Sequence, residues 1–133
     1  MKDFSKTNRR HWLSLTATAL LAASLGVQAE PGWPSKPVTL VVPFPAGGGT
    51  DAFARPFSAQ FSKQSGKTLV IDNRGGAGGA LGAQIAAAAS PDGYTLFLGS
   101  VGNLAQNPVL TAKPVYDPVR DFAAVTLLAT DSI

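Results

Sequence analysis

From Val38 to Phe44 the chain reads Val-Thr-Leu-Val-Val-Pro-Phe, apolar at nearly every position. So short and continuous an apolar run marks a strand buried on both faces, as in a parallel sheet covered by helices. Asp51 to Gln64 is predicted as a helix, with Thr50 and Asp51 as caps and Gly66 as its stop. Pro56 inside it predicts a kink or a late start, because proline removes a helical hydrogen bond. Thr68 to Asp72 follows as a second strand, Asn73 to Gly79 as a glycine-rich turn, and Ala80 to Ala89 as a second helix with Leu81 and Ile85 on one face. Ser90-Pro91-Asp92-Gly93 breaks that helix. Tyr94 to Leu98 is a third strand, leading into Gly99-Ser100-Val101-Gly102-Asn103 and a short helical turn to Gln106. Pro108, Pro114 and Pro118 predict irregular chain, and Ala123 to Ala129 a fourth strand.

Strand, loop and helix alternate three times. That is the pattern of βαβ units, and it predicts an α/β fold with a doubly wound, mainly parallel sheet. Ligands of such sheets lie outside the carboxyl ends of the strands, where the chain order reverses. The three glycine-rich loops follow the three strands, so the topology puts them on one edge.

Charge changes the picture at the amino end. Lys2, Lys6, Arg9 and Arg10 precede an apolar run from Trp12 to Leu25, and Val27-Gln28-Ala29 supplies small residues at a cleavage site. This predicts a secretory signal over 1–29, by Sec or Tat export, and hence a periplasmic protein. Ser14, Thr16, Thr18, Ser24 and Gln28 interrupt the run and make it a poor bilayer span. Beyond residue 29 seven basic and seven acidic residues balance, so the net charge of +3 belongs to the signal. Nucleic acid is not an expected partner. Residues 30–37, rich in proline, form an extended lead-in to a lobe over 38–129.

The chain has no cysteine, which excludes a disulfide, a thiol nucleophile, a lipid-anchoring cysteine and a thiolate metal site. Its one histidine, His11, lies in the signal. A Ser-His-Asp triad and a histidine-ligated zinc are thereby excluded from the exported part. The expectation is a protein without metal, cofactor or catalytic residue.

Glycines at a helix start expose main-chain N–H groups to a ligand, and the helix dipole favours an anion there. Arg55 and Arg74 are the basic residues near these loops, which suits a small carboxylate better than a polyphosphate. An alternative is a dinucleotide site or a secreted enzyme using Gly47 to Gly49. Gly47-Gly48-Gly49-Thr50-Asp51-Ala52 fits G-x-G-x-x-A, and Asp72 lies 25 residues on. Against it, Pro43 to Ala46 separate strand from glycine, Asp51 would repel a pyrophosphate, and the chain carries an export signal.

Pro43-Phe44-Pro45-Ala46-Gly47-Gly48-Gly49-Thr50-Asp51 resembles the signature loop of the Bug family, the periplasmic solute-binding proteins of tripartite tricarboxylate transporters. The likeness continues through Asp72 to Gly79, Ser90 to Leu96, Leu98-Gly99-Ser100, Asn107-Pro108 and Tyr116 to Phe122. Gly76 stands where the family usually has proline. The resemblance implies a type II periplasmic-binding fold of two lobes, with a small carboxylate held between them by main-chain amides and ordered water. Carried onto this sequence, it points to Phe44, Pro45, Ala46, Gly47, Gly48, Gly49, Thr50 and Asp51 in the first loop. In the second it points to Gly75, Gly78 and Gly79, and in the third to Ser100, Gly102 and Asn103. Asp51 is the side chain expected to orient the ligand. Family members run to roughly 300 residues in two lobes. The first lobe is therefore expected to be incomplete here, with 130–133 beginning a crossing to a second lobe outside this sequence. Membrane transporter components are the partners implied, and a monomer is expected. A truncated remnant that binds nothing is the remaining alternative.

Overall fold

The computed structural model describes residues 32–130. The predicted signal over 1–29 lies outside them, as do 30–31 of the lead-in and 131–133 of the predicted crossing. Residues 34–130 lie in one compact unit, described below; Gly32 and Trp33 are outside it.

Three strands, β1 (Val38–Val42), β2 (Leu69–Asn73) and β3 (Thr95–Phe97), form a parallel sheet in the order β2-β1-β3. Leu40 stands level with Ile71 on one side and Leu96 on the other. The central place of β1 explains its composition. Val38, Leu40, Val41 and Val42 are all buried, because helices cover both faces and strands flank both edges.

Helix α1 (Gly49–Ser65) connects β1 to β2, and helix α2 (Ala80–Ala87) connects β2 back across β1 to β3. Two right-handed crossovers running in opposite directions put their helices on opposite faces. On the α1 face, Val38, Leu40 and Val42 pack with Ala54 and Leu69, and Phe57, Phe61 and Ile71 close over them. Each fully buried valine or leucine side chain there contributes about 1.5–3 kcal/mol. On the other face, α2 approaches so closely that a Cβ on Gly82 would lie 2.8 Å from the Arg74 carbonyl oxygen and from Pro43 Cα.

Several expectations shift. Strand β1 ends at Val42 rather than Phe44, since Pro43 has no N–H for a ladder. Helix α1 starts at Gly49, with Gly48 as N-cap and no side-chain cap, so neither Thr50 nor Asp51 caps it from outside. It continues through Pro56 to Ser65, and Gly66 stops it in the left-handed conformation as expected. In α2 the buried positions are Gly82 and Ala83, whereas Leu81 is 45% exposed. Close packing selects the small residues here over the large apolar ones.

A wide turn, Gly102–Gln106, leads into the short helix α3 (Asn107–Leu110), which takes in Pro108 at its first turn. The fourth strand expected over Ala123–Ala129 does not form. The segment has no ladder partner among the described residues and is exposed throughout, with Val125 at 80% and Leu127 at 76%. Apolar alternation supplies a strand's side chains but not the neighbouring backbone that defines one. Before it, Tyr116 and Phe122 pack edge-on, and Phe122 also meets Phe97, which ties the 111–122 segment to β3.

Candidate functional site

Loops leave the carboxyl ends of the strands at 43–48, 74–79 and 98–101. The chain steps from β1 to β2 and then back past β1 to β3, so its order reverses at β1, where parallel sheets open a crevice. The loops meet there. A Cβ on Gly75 would lie 3.0 Å from Pro45 Cδ. One on Gly79 would lie 3.0 Å from Asn103 Nδ2, 3.3 Å from Pro43 Cβ and 3.5 Å from Phe44 Cζ. Asn107 Nδ2 donates to the Gly78 carbonyl at 2.9 Å.

The first loop is closed from within by Asp51. This carboxylate, 1% exposed, sits at the third position of α1 and reaches back to the chain before the helix. Its Oδ2 accepts from Gly47 N–H at 2.9 Å and Arg55 Nε at 2.7 Å, and its Oδ1 accepts from Asn73 Nδ2 at 3.3 Å. The Gly47 N–H holds the Asp51 carboxyl below the usual carboxylate range; burial opposes this, and Arg55 and Asn73 add to it. Asn73 Nδ2 also donates to the Phe44 carbonyl at 3.1 Å, tying β2 to the first loop. With Asp51 turned inward, the N–H groups of Gly49, Thr50 and Asp51 have no acceptor among the described residues. They carry the positive end of a 17-residue helix dipole.

The third loop is built on Asn103, which is fully buried. Its Oδ1 accepts from Ser100 N–H at 2.8 Å, and its carbonyl accepts from Tyr116 Oη. Burial raises the Tyr116 hydroxyl above its ordinary pKa. Asn103 Nδ2, at the centre of the junction, has no hydrogen-bond partner. Leaving such a donor unpaired costs about 1–3 kcal/mol.

Of the residues singled out by sequence, Pro45, Ala46, Gly47, Gly48 and Gly49 are exposed on the rim, with Phe44 and Thr50 half-buried beneath it. Gly75, Ser100 and Gly102 are half-buried, Gly78 exposed and Gly79 buried. Asp51 stands inside the first loop and presents no free oxygen to the crevice, unlike the orienting contact expected of it. Asp72, on β2, and Arg74, just after it, pair with each other at 2.8 Å, so the acid of the dinucleotide reading and the arginine clamp are engaged with one another. Sequence reasoning missed Asn73, Asn107 and Tyr116. Their partners lie 22, 29 and 13 residues away, and no local spacing signals that.

Among the described residues no group of acidic side chains could hold a metal, and no helix is long and apolar enough to cross a membrane. A parallel sheet with glycine loops gathered at its carboxyl edge is the architecture of one lobe of a periplasmic binding protein, and solved structures of that class match it. MatC of Rhodopseudomonas palustris with bound malate superposes with a TM-score of 0.68 at 44% identity, covering 72% of this chain and 33% of that one. The periplasmic binding protein BugD superposes with a TM-score of 0.64 at 42% identity, covering 68% and 30%. The family model described as tripartite tricarboxylate transporter family receptor matches residues 53–133, and the chain belongs to that family. The UPF0065 protein in the tcbD-tcbE intergenic region of Pseudomonas sp. (strain P51) is 39% identical over 128 residues, 96% of this chain and 38% of that protein. The chain thus spans about a third of the length of the proteins it matches.

Proposed function

We propose that the chain is the carboxylate-capturing lobe of a periplasmic solute-binding protein, exported by the signal over 1–29 and serving a tripartite tricarboxylate-type uptake system. The observation that carries this reading is the meeting of the three glycine loops around Pro43, Phe44 and Pro45, the segment that leads into the uncapped N-terminus of α1, whose first three N–H groups lack acceptors. A small carboxylate fits that arrangement, because main-chain donors and the helix dipole stabilise a negative charge without a cation. The rim from Phe44 to Thr50, with Gly75, Gly78, Gly79, Ser100, Gly102 and Asn103, forms the binding surface. Asp51 acts by positioning: it holds the first loop in the shape that points its amides outward. The malate bound to MatC supports the ligand class. The function is capture, not catalysis, and the partners are the ligand and membrane transporter components.

The test is a titration of the ¹⁵N-labelled chain with malate, followed by amide shifts. Saturable shifts at Gly47 to Asp51 are expected with malate and not with its uncharged diamide. No saturable response to malate, or equal responses to acid and diamide, would sink the carboxylate reading. Saturation by NAD alone would replace it with the dinucleotide one.

A further inference from the structure

Asn103 Nδ2 is the one buried side-chain donor without a partner among the described residues. Its orientation is set by chemistry. Turning the carboxamide over would bring its NH₂ against the Ser100 N–H, a donor against a donor, so Oδ1 stays on Ser100 and Nδ2 stays toward Gly79. Tyr116 Oη fixes the same residue through its carbonyl. The cations nearest in sequence to these loops, Arg55 and Arg74, are already paired with Asp51 and Asp72. A neutral donor, buried, held in place and lacking an acceptor, is complementary to a bare acceptor oxygen.

We propose that Asn103 Nδ2 donates to a carboxylate oxygen of the ligand at the junction of the three loops, so that a side chain joins the main-chain amides in reading the anion. This rests on the solute-binding reading above. The atom faces Gly79, so the incoming oxygen displaces Gly79, whose neighbour Gly78 is held through its carbonyl by Asn107. Gly78 and Gly79 both sit at positive φ. The same geometry excludes an amine at that end of the ligand, because its N–H groups would meet Nδ2 donor to donor.

Two measurements on the full chain test this. In the wild type titrated with malate, the Asn103 side-chain NH₂ signals are expected to shift and saturate together with the Gly47 to Asp51 amides. Asn103→Asp keeps an oxygen for Ser100 N–H but replaces the donor with an acceptor, and its malate affinity is expected to fall by about tenfold or more. If malate saturates the first loop while the Asn103 NH₂ signals stay still, the inference is overturned and the solute-binding reading survives. A folded Asn103→Asp that binds malate as tightly as the wild type would overturn it in the same way. If neither malate nor the longer adipate saturates any amide of the wild type, both readings fall together.

Discussion

The first and third loops each bury one polar side chain at the same junction, and the two differ in how it is satisfied. Asp51 has protein donors on both oxygens and turns its charge inward. Asn103 has its oxygen engaged and its nitrogen unpaired. A satisfied network rigidifies, whereas a partly satisfied one stores a demand that a ligand can meet. The Asp51 side chain is therefore a finished piece of scaffold, and the Asn103 side chain is left incomplete. On this contrast, changes at Asp51 are expected to act on stability and, under the proposal above, changes at Asn103 on binding.

The largest stability effect is expected from Asp51→Asn. Its new NH₂ must face either Asn73 Nδ2 or the Gly47 and Arg55 donors, so every rotamer sets donor against donor. Denaturant unfolding should show the lowest midpoint among the loop variants, and a midpoint equal to wild type would break the contrast. A smaller effect is expected at the seal between the loops. Gly79→Ala forces an alanine to φ +90° and brings its Cβ to 3.0 Å from Asn103 Nδ2. About 1–2 kcal/mol of stability should be lost by denaturant unfolding, since positive φ alone costs that much for a residue with a Cβ.

The smallest effect is the acid limb. The Asp51 carboxyl is held below its ordinary value, chiefly by Gly47 N–H, so it contributes stability that is fully present above the unfolded value of about 3.9. That contribution is lost as pH falls through the folded value. Asp92 and Asp121 are lowered too, the first chiefly by Tyr94 N–H and the second chiefly by Arg120, so Asp51 supplies only part of the slope. Unfolding measured from neutral pH into the acid range should be less steep below pH of about 4 in Asp51→Asn than in the wild type. Parallel profiles would show that Asp51 is no more strongly held when folded than when unfolded.

The opposite edge of the sheet shows what a closed structural cluster looks like by comparison. Lys36 lies 4.3 Å over the Tyr94 ring and 3.5 Å from Asp92, while Ser35 N–H donates to Tyr94 Oη at 3.0 Å. Every polar group named there has a partner, and the cluster fastens the lead-in to β3.

The sequence alone determined the parallel α/β sheet, because an apolar run without period, Val38 to Phe44, needs cover on both faces. It also determined that three glycine loops share an edge, because βαβ connections leave no other place for them. The Pro-Phe-Pro-Ala-Gly-Gly-Gly loop and the motifs after it carried the family. What only the tertiary structure decided is which side chains do what at the junction. Asp51 turned inward because Gly47, Arg55 and Asn73 converge on it, and Asn73 comes from a different strand. Asn103 became a buried donor because Gly79 and Tyr116, 24 residues before it and 13 after, close over it. The apolar run over 123–129 reads as a strand but has no ladder partner among the described residues, since strand formation requires a neighbour that no residue pattern can supply.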